Sequence, residues 1–199
     1  MRKILFATNN AHKIQEAQYR IGSIFQVISL KEVGINETIP EPYDTLKENA
    51  SAKSQYIYNK LHQNCFSEDT GLFVEALHGE PGVHSARYAG EQARDTANLE
   101  KLVHKMYGKE NRKAHFSTII SLIMDGKEYF FEGHCKGNIV EIANGKMGFG
   151  YDPVFKPEGS EKTFGEMDID EKNEFSHRRK ALDLLIDFLT RITPKENLS

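Results

Sequence analysis

Nowhere in its 199 residues does the chain carry an apolar run long enough to cross a bilayer. Its first apolar stretch, Ile4-Leu5-Phe6-Ala7, turns polar at Thr8 and is too short for a secretory signal. Cysteine is scarce. Cys65 and Cys135 lie in separate strand-like runs without framework spacing, so buried free thiols are expected rather than a disulfide scaffold. An excess of basic charge is lacking as well: a net charge of -3 and a pI near 6.3 argue against a protein that coats nucleic acid. They leave room for a compact basic pocket. No G-x-x-x-x-G-K-[ST] occurs, which removes the Walker-type NTPases. Internal repeats, low-complexity tracts and linkers are missing too. The expectation is one domain over 1–193 with a frayed tail at 194–199, cytoplasmic, with no membrane and no nucleic acid among its partners.

Lys3 to Ala7 reads as a buried strand, and the polar loop Thr8-Asn9-Asn10-Ala11-His12-Lys13 follows it. A helix then carries Ile14, Ala17, Ile21 and Ile24 on its apolar side, with Thr8 or Asn10 as the cap. His12 and Lys13 fall in its first turn, where the macrodipole disfavours positive charge. A bound anion reverses that penalty, so strand, polar loop and helix together point to phosphate binding.

Residues 26–30 form the next expected strand, and 31–43 a loop ending in Pro40-Glu41-Pro42. Thr45-Leu46-Lys47-Glu48 is a capping-box pattern opening a helix that reaches about Leu61. Its stripe of Leu46, Ala50, Ile57 and Leu61 has a lysine, Lys53, at the missing place. A charge there is costly unless paired. Either its stem buries while the ammonium snorkels outward, or it points into a polar crevice.

After a short strand at Asn64-Cys65-Phe66, Ser67-Glu68-Asp69-Thr70-Gly71-Leu72 is expected to turn sharply at Gly71. Adjacent acids at a strand end repel each other. They make sense around a hard cation such as Mg²⁺ shared with substrate phosphates; a solvated acidic turn is the plain alternative. Successive strand residues face opposite ways, so only one acid meets the crevice unless the turn swings both inward.

Further on, Asp95 to Met106 reads as a helix with Leu99, Leu102, Val103 and Met106 buried. Strands 114–124 and 127–136 join through Asp125-Gly126, a strong hairpin signal, and 138–142 extends the sheet. In Gly148-Phe149-Gly150-Tyr151-Asp152-Pro153-Val154-Phe155, Phe149 and Phe155 either stack a nucleobase or plug the core. The last helix starts at Ser176 and buries Ala181, Leu184, Leu185, Phe188, Leu189 and Ile192. Its first turn, His177-Arg178-Arg179-Lys180, puts four basic residues at the positive end of a helix. A ligand bearing negative charge or carbonyls is the expected compensation, with Lys172 just upstream.

Taken together, Thr8 to Lys13, Glu48-Asn49-Ala50-x-x-Lys53, Ser67 to Leu72, Pro81-Gly82 through Gly90, Phe149 to Phe155 and Ser176-His177-Arg178 resemble the inosine/xanthosine triphosphate pyrophosphatases. The resemblance covers residues 3 to about 192. It implies an α/β fold with a long mixed twisted sheet flanked by helices, two lobes around a central nucleotide cleft, and a homodimer. It implies hydrolysis of deaminated purine nucleoside triphosphates (ITP, dITP, XTP) to monophosphate and pyrophosphate with Mg²⁺, which cleanses the nucleotide pool. By motif, Thr8, Asn9, Asn10, Ala11, His12 and Lys13 would hold phosphates and sugar, and Lys53 the triphosphate. Asp69 would be the general base and a metal ligand with Glu68, and Thr70 would touch substrate. Phe149, Gly150, Tyr151, Asp152, Lys172, His177 and Arg178 would enclose the base. Arg87 stands where the family has a basic residue, Glu41 is a further metal-ligand candidate, and Asn9-Asn10 replaces a pair that includes glycine in many relatives. Two other readings are a Maf-type nucleotide pyrophosphatase, whose first loop differs characteristically, and a nucleotide-binding sensor, which has no need of Asp69 as a base.

Overall fold

The computed structural model describes residues 2–22, 24–92 and 94–192; the tail expected to fray at 194–199 lies outside them. β1 (Arg2–Phe6) pairs in parallel with β2 (Phe25–Ser29) through the helix α1 (Ala11–Ile21). α2 (Leu46–Leu61) leads into β3 (Cys65–Val74), which meets β1 only at Leu5↔Cys65 and Phe6↔Phe66. The short β4 (Pro81–Gly82) and α3 (Asp95–Met106) follow. Next comes the long hairpin of β5 (Lys113–Met124) and β6 (Lys127–Ile139), then β7 (Phe155–Pro157), α4 (Ile169–Phe175) and α5 (His177–Ile192). The sheet is mixed, in the order β2-β1-β3-β5-β6-β7, with β4 on β3. Asp125 and Gly126, both at positive φ, make the hairpin turn that their dipeptide announced.

Side-chain alternation sorts the core. Ile4, Phe6, Phe66, Ile120 and Leu122 face α1 and α5, while Leu5, Ala7 and Cys65 face α2. Phe6 and Phe66, both fully buried, stack at 4.2 Å across the β1–β3 junction. Each such side chain contributes roughly 1.5–3 kcal/mol by burial. A third cluster, around Leu72, Phe116, Phe155 and Phe164, fills the space under α3 and the 144–167 segment. Cys65 and Cys135 are free and buried, and burial pushes their thiols up to about 12 and about 11.

Several expectations require correction. The turn foreseen at Ser67–Leu72 is the middle of a ten-residue strand, since β5 pairs with β3 along its whole length. Gly71 serves close approach instead of bending: a Cβ there would lie 2.6 Å from the Gly82 carbonyl oxygen of β4. β6 ends at Ile139, short of 142. α1 stops at Ile21, which leaves Ile24 39% exposed. α5 buries Leu182 and Ile186, whereas Leu184 and Ile192 face outward. The helix is gripped over a wider arc than the stripe read from its sequence.

Candidate active site

β3 outruns β1. Past Phe66, whose carbonyl accepts the Ala7 amide at 2.7 Å, this edge has no strand partner among the described residues until β4 joins at Leu72. Glu68, Asp69 and Thr70 occupy the gap. The gap opens onto the start of α1, where Asn10 caps the helix by accepting from the Lys13 amide at 3.2 Å.

The two acids project to opposite faces. On the α1 and α5 face, Glu68 accepts from Arg178 Nε and Nη2 at 2.9 Å and pairs with Lys13 at 3.2 Å. Burial alone would raise the Glu68 carboxyl; Arg178 and Lys13 outweigh it and hold the group at about 2. Arg178, 2% exposed, also donates from Nη1 to Glu16 at 2.6 Å, and Glu16 accepts from Lys172 at 2.9 Å. Lys172 turns again to Asp152 at 2.8 Å. The result is a neutral lattice of Lys13, Arg178 and Lys172 against Glu68, Glu16 and Asp152. In the basic first turn of α5, Arg178 and Arg179 pair with carboxylates of the chain itself, and Lys180 donates to the His134 carbonyl at 2.9 Å.

On the α2 face, Lys53 is 6% exposed and its ammonium meets the Glu41 carboxylate and, at 3.6 Å, Asp69 Oδ1. Pairing, not snorkelling, explains the lysine in the apolar stripe. Asp69 Oδ1 also accepts from the Thr70 amide at 3.1 Å, while Oδ2 is buried with no hydrogen-bond partner among the described residues. Burial raises the Asp69 carboxyl, and Lys53 only partly offsets it. Arg87 closes this side by donating to the Glu41 carbonyl at 2.8 Å. Thr70 shares its hydroxyl with Thr118 at 2.6 Å.

Opposite lies the 148–152 turn. Asp152 accepts from the Phe149 amide at 2.9 Å; burial raises its carboxyl and Lys172 counteracts. The Phe149 ring stacks on His12 at 5.1 Å and has the cations of Lys172 and Arg178 at 5.2 and 5.4 Å from its centre. Tyr151 donates to the Ser85 carbonyl at 2.8 Å. Phe155, fully buried, is a core plug. His177 stacks on Phe116 at 4.5 Å, its Nδ1 without a partner among the described residues; burial and then Arg178 hold its pKa well below the usual histidine value.

These walls enclose a cavity of about 130 Å³. Asn10, Lys13, Asp69, Thr70, Phe149, Gly150, Tyr151, Asp152, Lys172, His177 and Arg178 all line the cleft. Lys53 stands behind it through Glu41 and Asp69. Other loop residues do different work: Asn9 donates to the Ile35 carbonyl at 3.1 Å, Thr8 Oγ accepts from the Asn10 amide at 3.2 Å, and Ala11 begins α1. Sequence reasoning missed Glu16, whose place one turn after Lys13 was the available signal, and missed Ser85, Asp95 and Asn98 altogether.

Fold and site define a mixed α/β protein whose cleft carries cations and buried carboxylates at a break in the sheet edge, an arrangement suited to phosphorylated ligands. The chain belongs to the Ham1 family, matched over residues 4–188. It is 47% identical over 188 residues to the dITP/XTP pyrophosphatase of Flavobacterium johnsoniae, covering 94% of this chain and 98% of that one. Identity to the Porphyromonas gingivalis protein of the same name is 46%, over 95% and 98% of the two chains. Among solved structures, the Staphylococcus aureus Ham1 protein superposes with a TM-score of 0.86 at 37% identity, over 96% of this chain and all (100%) of that one.

Proposed function

We propose that the protein hydrolyses the α–β phosphoanhydride of deaminated purine nucleoside triphosphates (ITP, dITP and XTP), giving monophosphate and pyrophosphate. The observation that carries this reading is 39–47% identity, over 94–96% of the chain, to relatives named dITP/XTP pyrophosphatase. Mg²⁺ as cofactor, a homodimeric state and a cytoplasmic location belong to the same reading. Consistent with it, no helix of the described residues is long and apolar enough to cross a membrane.

The donor set suits a hard cation at one place. Among the described residues no three His, Cys, Asp or Glu side chains gather as a metal cage. Mg²⁺ is characteristically bound by one or two carboxylates plus substrate phosphates. Asp69, whose Oδ2 has no hydrogen-bond partner among the described residues, and the neighbouring Glu41 fit that role; Glu68, whose oxygens accept from Arg178 and pair with Lys13, does not. A bound Mg²⁺ supplies charge stabilisation on the phosphates and a more acidic water.

The chain supplies the rest. The start of α1, Lys13 and Lys53 offset phosphate charge. Asp69, made more basic by burial, accepts the proton of the attacking water. The base lies against the Phe149 turn. There Lys172 spends two of its three N–H donors on Glu16 and Asp152 and keeps one for a carbonyl at purine position 6. Adenine offers an amino group at that position, leaving donor against donor, a mismatch that rejects by up to ~10⁴–10⁵-fold. The test is kcat/KM for inosine and adenosine triphosphates with wild type and Asp69→Asn. Strong preference for inosine, and turnover lowered by about 10²-fold or more in the variant, support the reading; equal use of both nucleotides refutes it.

A further inference from the structure

α3 holds both walls of the cleft. One turn into the helix, buried Asn98 donates to the Ala86 carbonyl at 3.0 Å and accepts from the Ala89 amide at 2.7 Å, which fixes the loop after β4. At the first helical position, Asp95 accepts from the Gly150 amide at 3.0 Å. That acid lies where a carboxylate could serve its own helix, and Arg94 before it gives no side-chain cap. Its hydrogen bond goes across the cleft mouth instead, to a residue 55 positions away.

The contact matters because of what it restrains. Gly148 and Gly150 have φ of 73° and 60°, and an added Cβ at Gly150 would meet nothing within 4 Å. The turn is therefore shaped by backbone conformation, with little packing to hold Gly150. Phe149 is tied by Asp152 from within the turn; from outside it, Asp95 holds the Gly150 amide and Ser85 accepts from Tyr151.

We propose that Asp95 is a positioning residue for substrate: it seats the Phe149–Gly150 peptide, and so the distance between the base-binding turn and the Ser85–Tyr88 wall. This rests on the cleft being the nucleotide site. The role needs an acceptor oxygen, not a charge. Asp95→Ala should raise KM for inosine triphosphate by about tenfold, shrink the preference over adenosine triphosphate, and speed hydrogen exchange at the Gly150 amide. Asp95→Asn, which keeps the oxygen, should restore all three. Unchanged KM and exchange in Asp95→Ala overturn the proposal. So does an Asn variant as impaired as the Ala variant. If wild type fails to use deaminated nucleotides, the functional reading falls, and the exchange rate of Gly150 in the two variants still decides whether the tie exists.

Discussion

Arg178 and Glu68, 110 residues apart in sequence, meet through Nε and Nη2 at 2.9 Å with both side chains almost wholly buried. This pair fastens the first turn of α5 to the middle of β3. Removing Glu68 leaves buried Arg178 with Glu16 as its carboxylate partner and takes the carboxylate from Lys13. Glu68→Gln should therefore cost about 3–5 kcal/mol of unfolding free energy at neutral pH. Urea denaturation measures it, and a loss under 1 kcal/mol would show that Lys13 and Glu16 rearrange to compensate.

His177 makes stability depend on pH. Its imidazole is held neutral in the fold, while in the unfolded chain it titrates near the ordinary value of about 6.5. Below that pH the unfolded state binds a proton that the native state refuses, so stability falls as pH falls. The slope from this group is up to about 1.4 kcal/mol per pH unit. In urea unfolding between pH 7.5 and 5, His177→Phe should lose less stability than wild type; identical slopes would assign the dependence elsewhere.

Lys53 lies between Glu41 and Asp69, so its loss should be felt in both binding and the charge balance of the site. Lys53→Ala is expected to raise KM for the triphosphate, with an effect that high salt reduces little because the lysine is buried. Untouched kinetics with a higher Tm would return the lysine to a packing role.

Legibility followed the range of the physics involved. Helix caps at Asn10 and Thr45 and the Asp125-Gly126 hairpin are local, and each was readable from a few adjacent residues. The continuity of β3 through Glu68-Asp69 was not, because it is imposed by pairing with β5 some fifty residues later. The same holds for the basic turn of α5. The acids that pair with Arg178, Glu68 and Glu16, come from elements far away in sequence, so the turn alone did not show them. Lys53 stood at the balance point: its helical register marked it as buried, but only the tertiary structure supplied Glu41 as partner. Asp95 carried no sequence signal, since an acid in a first helical turn is ordinary.

The claim on which the rest depends is cleavage between the α and β phosphates of a deaminated purine nucleotide. Inosine triphosphate incubated with the enzyme and Mg²⁺, with products separated and counted, tests it directly. The account predicts inosine monophosphate and pyrophosphate in equal amounts, with no orthophosphate formed. Inosine diphosphate accompanied by orthophosphate would contradict it.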